Sequence, residues 1–172
     1  DEEFITLHPG TSKVERSWHA ERFGILCQKI FKEDGNKIVL LGTQAEEKLL
    51  NRIKNYCPPD KVKIIPAVNL RVLAGVLKKS RMFIGNDSGM MHLAAMVGTP
   101  IVAIFGPGNG GTTGPYMAAE NFEILTENYS CSPCRQRFFK ECKPSPHNKP
   151  YCLEDITVKK VYEAIHRLSK RI

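Results

Sequence analysis

No stretch of about eighteen consecutive apolar residues occurs in the chain, and no charged-then-apolar leader opens it, so neither a membrane-spanning helix nor a secretory signal is expected. An initiating methionine is also missing. Asp1-Glu2-Glu3 runs almost at once into Phe4-Ile5-Thr6-Leu7, which reads as a cut between domains of a longer protein. Signatures of phosphate loops are scarce too. No G-x-G-x-x-G opens the first strand-helix unit, which argues against a dehydrogenase, and no glycine-rich loop ends in Gly-Lys-Ser/Thr, which argues against an ATPase. Internal repeats and low-complexity tracts are lacking. Basic residues without interleaved aromatics or a known module argue against nucleic acid as a partner.

What is present fits one domain with a short appendage: 172 residues at 42% hydrophobic composition can fill a core. The formal charge of +7 is unevenly placed. Residues 1–127 hold 15 Lys and Arg against 14 Asp and Glu, whereas residues 128–172 hold 10 against 4. Such a tail could face an anionic membrane surface, but a solvated helix face that balances acidic residues elsewhere is the commoner arrangement. The six cysteines divide likewise. Cys27 and Cys57 lie in or at the end of helical patterns and read as small core residues. Cys131, Cys134, Cys142 and Cys152 are spaced C-x2-C-x7-C-x9-C in a Pro-rich stretch with few apolar residues, which suits a small metal site or two cross-links. The spacing decides between neither of these nor free thiols.

Strand and helix patterns alternate from the start. Apolar runs at residues 4–7, 37–41, 62–65, 82–84, 101–105 and 122–125 have the length of buried strands. Between them, i, i+3, i+4 spacing predicts helices over residues 18–34, 44–56 and 69–80, with another after residue 88 and a last one over 154–171. The fold class expected is α/β, a doubly wound parallel sheet covered on both faces. Residues 1–127 would form a Rossmann-like domain, and 128–172 a cysteine-rich segment and terminal helix packing on it.

Ligands of open α/β sheets sit beyond the carboxyl ends of the strands. Two junctions there carry suitable chemistry. In Asn86-Asp87-Ser88-Gly89, Ser88 can cap a helix, Gly89 clears space for an approaching phosphate, and the first-turn amides favour a diphosphate. His92, four residues after Ser88, lies on the same helix face. A capped helix with a satisfied core histidine explains the same residues one at a time. The other junction, His8-Pro9-Gly10-Thr11-Ser12-Lys13, is followed by Arg16 and Trp18. Lys13 or Arg16 could neutralise a diphosphate, while Trp18 reads as a packing anchor.

Taken together, Pro9-Gly10, Arg16-Ser17-Trp18, Asn86-Asp87-Ser88-Gly89, His92-Leu93-Ala94-Ala95, Gly98-Thr99-Pro100, Ile104-Phe105-Gly106-Pro107 and Gly114-Pro115 resemble the C-terminal half of glycosyltransferase family nine, the lipopolysaccharide heptosyltransferases. The likeness runs from Phe4 to about Ile165 and includes the Cys-x-Pro-Cys segment. It implies a two-domain GT-B enzyme: a Rossmann-like half holds ADP-heptose, and an N-terminal half, absent from this chain, holds the lipid-linked acceptor and supplies the general base. The enzyme would invert configuration, need no metal or cofactor, and work in the cytoplasm at the inner face of the membrane. By the same resemblance Asp87, Ser88, Gly89 and His92 surround the diphosphate and sugar, and Arg16 stands where the family has Lys. His19 replaces a common Pro, and Gly108-Asn109-Gly110 replaces Thr-x-Pro. Either Gln44 or Glu46 corresponds to the family's nucleoside-associated glutamate. The alternatives are a non-catalytic nucleotide or nucleotide-sugar binding module of the same fold, or a transferase of the same family using another nucleotide sugar.

Overall fold

The computed structural model describes residues 3–66, 69–132 and 134–172. The domain junction expected at Asp1-Glu2 and the proline of the Cys-x-Pro-Cys segment, Pro133, lie outside the described residues. Six strands, β1 (Phe4–His8), β2 (Lys37–Leu41), β3 (Val62–Ile65), β4 (Met82–Asn86), β5 (Ile101–Ile104) and β6 (Phe122–Leu125), form one sheet in the order β3-β2-β1-β4-β5-β6. Every pairing is parallel. Between them run α1 (Ala20–Asp34), α2 (Glu47–Lys54), α3 (Leu70–Lys79), α4 (Gly89–Met96) and the short α5 (Gly110–Thr113), followed by α6 (Tyr151–Glu154) and α7 (Val158–Ser169).

The period-two alternation of each strand divides the apolar residues between two cores. Ile5, Leu7, Ile38, Leu40, Met82, Ile84, Val102 and Ile104 face one side, where α1, α2 and α7 contribute Leu26, Ile30, Leu50, Ile53, Val161, Ile165 and Leu168. Val39, Leu41, Phe83, Ile101 and Ala103 face the other, against Leu73 and Leu77 of α3 and Met91, Ala94 and Ala95 of α4. Burial on both faces is what continuous apolar strands require. The sheet is doubly wound and parallel.

Several boundaries differ from the sequence expectation, each for a local reason. The helix expected from residue 18 starts at Ala20: His19 is its N-cap in extended backbone, and the Trp18 N–H before it donates to the Asn86 side chain at 3.1 Å. Residues 44–46 form a 3₁₀ turn before α2 under a capping box between Thr43 and Glu46. The terminal helix is two: α6 ends at Glu154, and Thr157 then caps α7 by accepting from the Lys160 N–H. Trp18 is an anchor, fully buried, edge-on to Phe23 and donating from Nε1 to the Ile156 carbonyl at 2.7 Å. That bond joins the start of α1 to the segment between α6 and α7.

Part of the basic excess of the last quarter is balanced by earlier acidic residues. Arg167 and Arg171 pair with Glu123, and Lys160 pairs with Glu127. No helix among the described residues is long and apolar enough to cross a membrane.

The cysteines show no staple. Cys131, Cys134, Cys142 and Cys152 are free thiols, and among the described residues no group of three or more His, Cys, Asp or Glu could hold a metal ion. Burial, with the Cys134, Cys131 and Cys142 thiols adding to it, pushes the Cys152 thiol up to about 12, so it stays protonated. A polar clamp ties the segment down in their place. Glu154 accepts from Ser145 Oγ and His19 Nε2, both at 2.9 Å, and pairs with Arg22 and His147. Cys27 and Cys57 are buried, as expected of core residues.

Candidate functional site

The sheet order reverses between β1 and β4: the chain moves outward from β1 through β2 to β3, then returns to the other flank of β1. Connections leaving the carboxyl ends of β1 and β4 depart to opposite faces and open a crevice there. His8, which ends β1, is in register with Gly85 of β4, so the two junctions singled out by composition lie side by side. Asn86 fastens them. Fully buried, it donates from Nδ2 to the Pro9 carbonyl at 2.7 Å and accepts from the Trp18 N–H, fixing the β1 loop against the end of β4.

Asp87 follows, nearly buried, with Oδ2 at 3.3 Å from Arg16 Nη1. A side chain at 108 would place its Cβ 2.6 Å from that same oxygen, so Gly108 is needed for the β5 loop to close over the carboxylate. Arg16 itself sits on a 3₁₀ turn, Val14–Arg16. Its Nη2 donates to Gln136 Oε1, and its Nε is the buried side-chain nitrogen without a partner among the described residues.

Ser88 occupies the N-cap position of α4 in extended backbone but makes no side-chain cap bond. Neither Ser88 nor Asp87 caps the helix, contrary to the capping expected of Ser88: the Asp87 carboxylate is drawn to Arg16, and the Ser88 hydroxyl lies 3.4 Å from His8 Nδ1. The Met91 N–H donates to the Ser88 carbonyl at 3.1 Å, so the Gly89 and Met90 N–H groups, with the positive end of the dipole, are the ones an anion could meet. Gly89 is exposed, and a Cβ there would meet nothing within 4 Å, so the fold itself does not demand glycine. His92 is exposed one turn on, which excludes the core-histidine explanation.

Glu46 reaches the crevice from the far side. Its Oε2 accepts from the Thr43 N–H at 2.7 Å and from Thr43 Oγ1 at 2.9 Å, and lies 3.9 Å from His8 Nε2. Gly10 leaves room for this carboxylate, because a Cβ at 10 would stand 1.6 Å from Glu46 Oε1 and displace it. Gln44, the other candidate, instead lines a separate cavity of about 550 Å³ with Thr43, Glu47 and Leu50. Lys13 is exposed and holds its ammonium over the Phe138 ring, 5.9 Å from the centroid.

The structure thus brings Arg16, Asp87, Ser88 and Glu46 around one crevice, opens Gly89 and His92 to solvent beside it, and turns Lys13 toward the cysteine segment. His8 joins them, a residue that the sequence reading included in the β1 junction without giving it a role of its own. Burial holds its imidazole below the usual histidine range, although Glu46 pulls the other way, so it sits between Ser88 and Glu46 as a neutral ring. A polar residue ending an otherwise apolar β1 was the available signal.

The family model for glycosyltransferase family 9 (heptosyltransferase) matches residues 1–143, which contain every one of these side chains. The chain belongs to glycosyltransferase family 9. Among curated relatives, lipooligosaccharide heptosyltransferase 2 of Campylobacter jejuni is 31% identical over 170 residues, covering 96% of this chain and 51% of that protein. The solved family 9 glycosyl transferase of Veillonella parvula superposes with a TM-score of 0.79 at 26% identity, covering 99% of this chain and 47% of that one. E. coli heptosyltransferase WaaC with ADP gives 0.73 at 21% identity, with 97% and 44% covered. The chain spans about half the length of the family 9 relatives it matches.

Proposed function

We propose that this chain is the donor-binding half of an inverting, metal-independent heptosyltransferase that moves heptose from ADP-heptose to the lipopolysaccharide inner core. One observation carries the reading. A guanidinium, a hydroxyl and the uncapped N-terminus of α4 converge where β1 and β4 end, the place and the chemistry that a nucleoside diphosphate needs. WaaC, of the same fold, is a structure with ADP.

In such a transfer the acceptor hydroxyl attacks the anomeric carbon from the face opposite the diphosphate, and the bond to the diphosphate oxygen breaks. Negative charge then grows on the leaving ADP. Arg16, the first-turn amides of α4, Ser88 and His92 stabilise that charge, and they do so best where water is excluded. Asp87 orients Arg16. Glu46 accepts hydrogen bonds from nucleoside hydroxyls, as an ionised carboxylate can only accept. The general base that removes the acceptor proton belongs to the other half of the enzyme, which also holds the lipid-linked acceptor at the cytoplasmic face of the membrane.

Calorimetric titration of residues 1–172 with ADP, UDP and GDP tests the reading. ADP should bind best, and ADP-heptose should bind without being transferred to a lipopolysaccharide core acceptor. No binding of any nucleoside diphosphate, or robust transfer by this chain alone, would overturn it. ADP binding with no transfer by the joined two-domain protein would favour the non-catalytic module.

A further inference from the structure

We propose that Gln136, in the cysteine-rich segment, is a positioning residue that aims the Arg16 guanidinium at the donor's diphosphate, an inference that rests on the function proposed above. The turn that carries Arg16 is only three residues long and has no buried residue of its own, so it cannot hold a long cationic side chain by packing. The segment that begins at Cys134 holds it at three successive points. The Lys13 ammonium sits over the Phe138 ring, the Val14 carbonyl accepts from Lys149 Nζ at 2.8 Å, and Arg16 Nη2 donates to Gln136 Oε1. Behind these contacts Glu154, bonded to Ser145 and His147 on one side and to His19 and Arg22 on the other, fixes the segment to the start of α1.

Gln136 has the geometry of a residue held for a purpose. Its φ is +56°, a conformation uncommon for any residue but glycine, and its own N–H donates to Cys134 Sγ at 3.1 Å. The side chain is an amide, and that matters electrostatically. Asp87 already places one carboxylate 3.3 Å from Nη1. A neutral acceptor on Nη2 orients the planar fork without further cancelling its charge, whereas a second carboxylate would leave the cluster net negative. With one Nη1–H on Asp87 and one Nη2–H on Gln136, each terminal nitrogen keeps a second N–H that an incoming anion can use, while the Nε–H is buried without a partner among the described residues. The cysteine segment thereby contributes to donor binding through Gln136.

Three variants of residues 1–172 separate this role from simple packing: Gln136→Glu, Gln136→Ala and Gln136→Asn. Glutamate preserves shape and can accept the same bond. Asparagine tolerates the left-handed backbone but is too short to reach Arg16 in the same way. Affinities for ADP and for adenosine are measured by calorimetry, with melting temperature as the folding control. ADP affinity should fall severalfold for Ala and Asn and about tenfold or more for Glu, while adenosine affinity stays constant. If Glu bound ADP as well as Gln does, or if ADP and adenosine affinities fell together, the positioning role would be wrong. Failure of the unaltered chain to bind ADP would instead sink the donor-site reading, a result distinct from equal ADP binding by all four proteins, which would sink only the role of Gln136.

Discussion

Gly10→Ala offers a sharp test of how the crevice is built. The added Cβ would stand 1.6 Å from Glu46 Oε1 and 2.5 Å from its carboxyl carbon, so the carboxylate has to leave. In leaving, it gives up the Thr43 N–H and Oγ1 bonds at 2.7 and 2.9 Å. Loss of a cap of this kind costs about 1 kcal/mol. Gly10 does not have a positive φ, so alanine suits its backbone and regains about 0.4–1 kcal/mol by restricting the unfolded chain. The single substitution should therefore be neutral to mildly destabilising. With Glu46→Ala already in place the obstruction is gone, and Gly10→Ala should stabilise by about 0.4–1 kcal/mol. Urea unfolding of the four proteins, compared at equal m values, measures the coupling. Gly10→Ala should also weaken ADP binding as much as Glu46→Ala does, with no further loss in the double variant. Additive effects on both stability and affinity would refute the contact.

His92→Ala should reduce ADP affinity about tenfold to a hundredfold, the worth of a hydrogen bond to a charged group, and leave unfolding of the free protein unchanged because the side chain is exposed. A large stability loss with unaltered affinity would reverse that conclusion. Acid should weaken the clamp in two stages. Burial depresses His19 below its ordinary 6.5 despite Glu154, so the unfolded chain takes up that proton first and stability falls as pH drops below about 6.5. Burial tends to raise Glu154, but the Ser145 hydrogen bond and the His19, Arg22 and His147 charges hold it below its ordinary 4.5, so stability present above that pH is lost beneath it. Glu154→Gln should abolish the second decline; an unchanged pH profile of the unfolding midpoint would count against the clamp. Replacing Cys131 and Cys142 together by Ser should alter stability by no more than about 0.5 kcal/mol, as neither is cross-linked or buried. A drop of several kcal/mol, or metal lost with the thiols, would restore the staple.

The alternation of strands and helices, and so the α/β class, was legible in the sequence because period-two and period-3.6 patterns are local properties of the chain. The residues flanking β1 and β4 were legible for a similar reason, since ligand chemistry collects at the carboxyl ends of parallel strands wherever they lie. Pairing was not. Nothing local states that β4 lies beside β1, yet that adjacency brings Arg16 to Asp87 and His8 to Ser88 across more than seventy residues. Capping of α4 was misjudged for the same cause: Ser88 and Asp87 are good local caps, and longer-range partners claimed their side chains. The 3₁₀ turn points Glu46 toward Gly10 and Gln44 toward a separate cavity, a divergence that no local pattern states. The cysteine spacing left metal, cross-links and free thiols open, whereas the bonds that tie the segment to the start of α1 run through Glu154, a residue with no motif around it. Periodicity and composition act within a few residues, but a charge finds its partner only after the sheet has brought distant loops together.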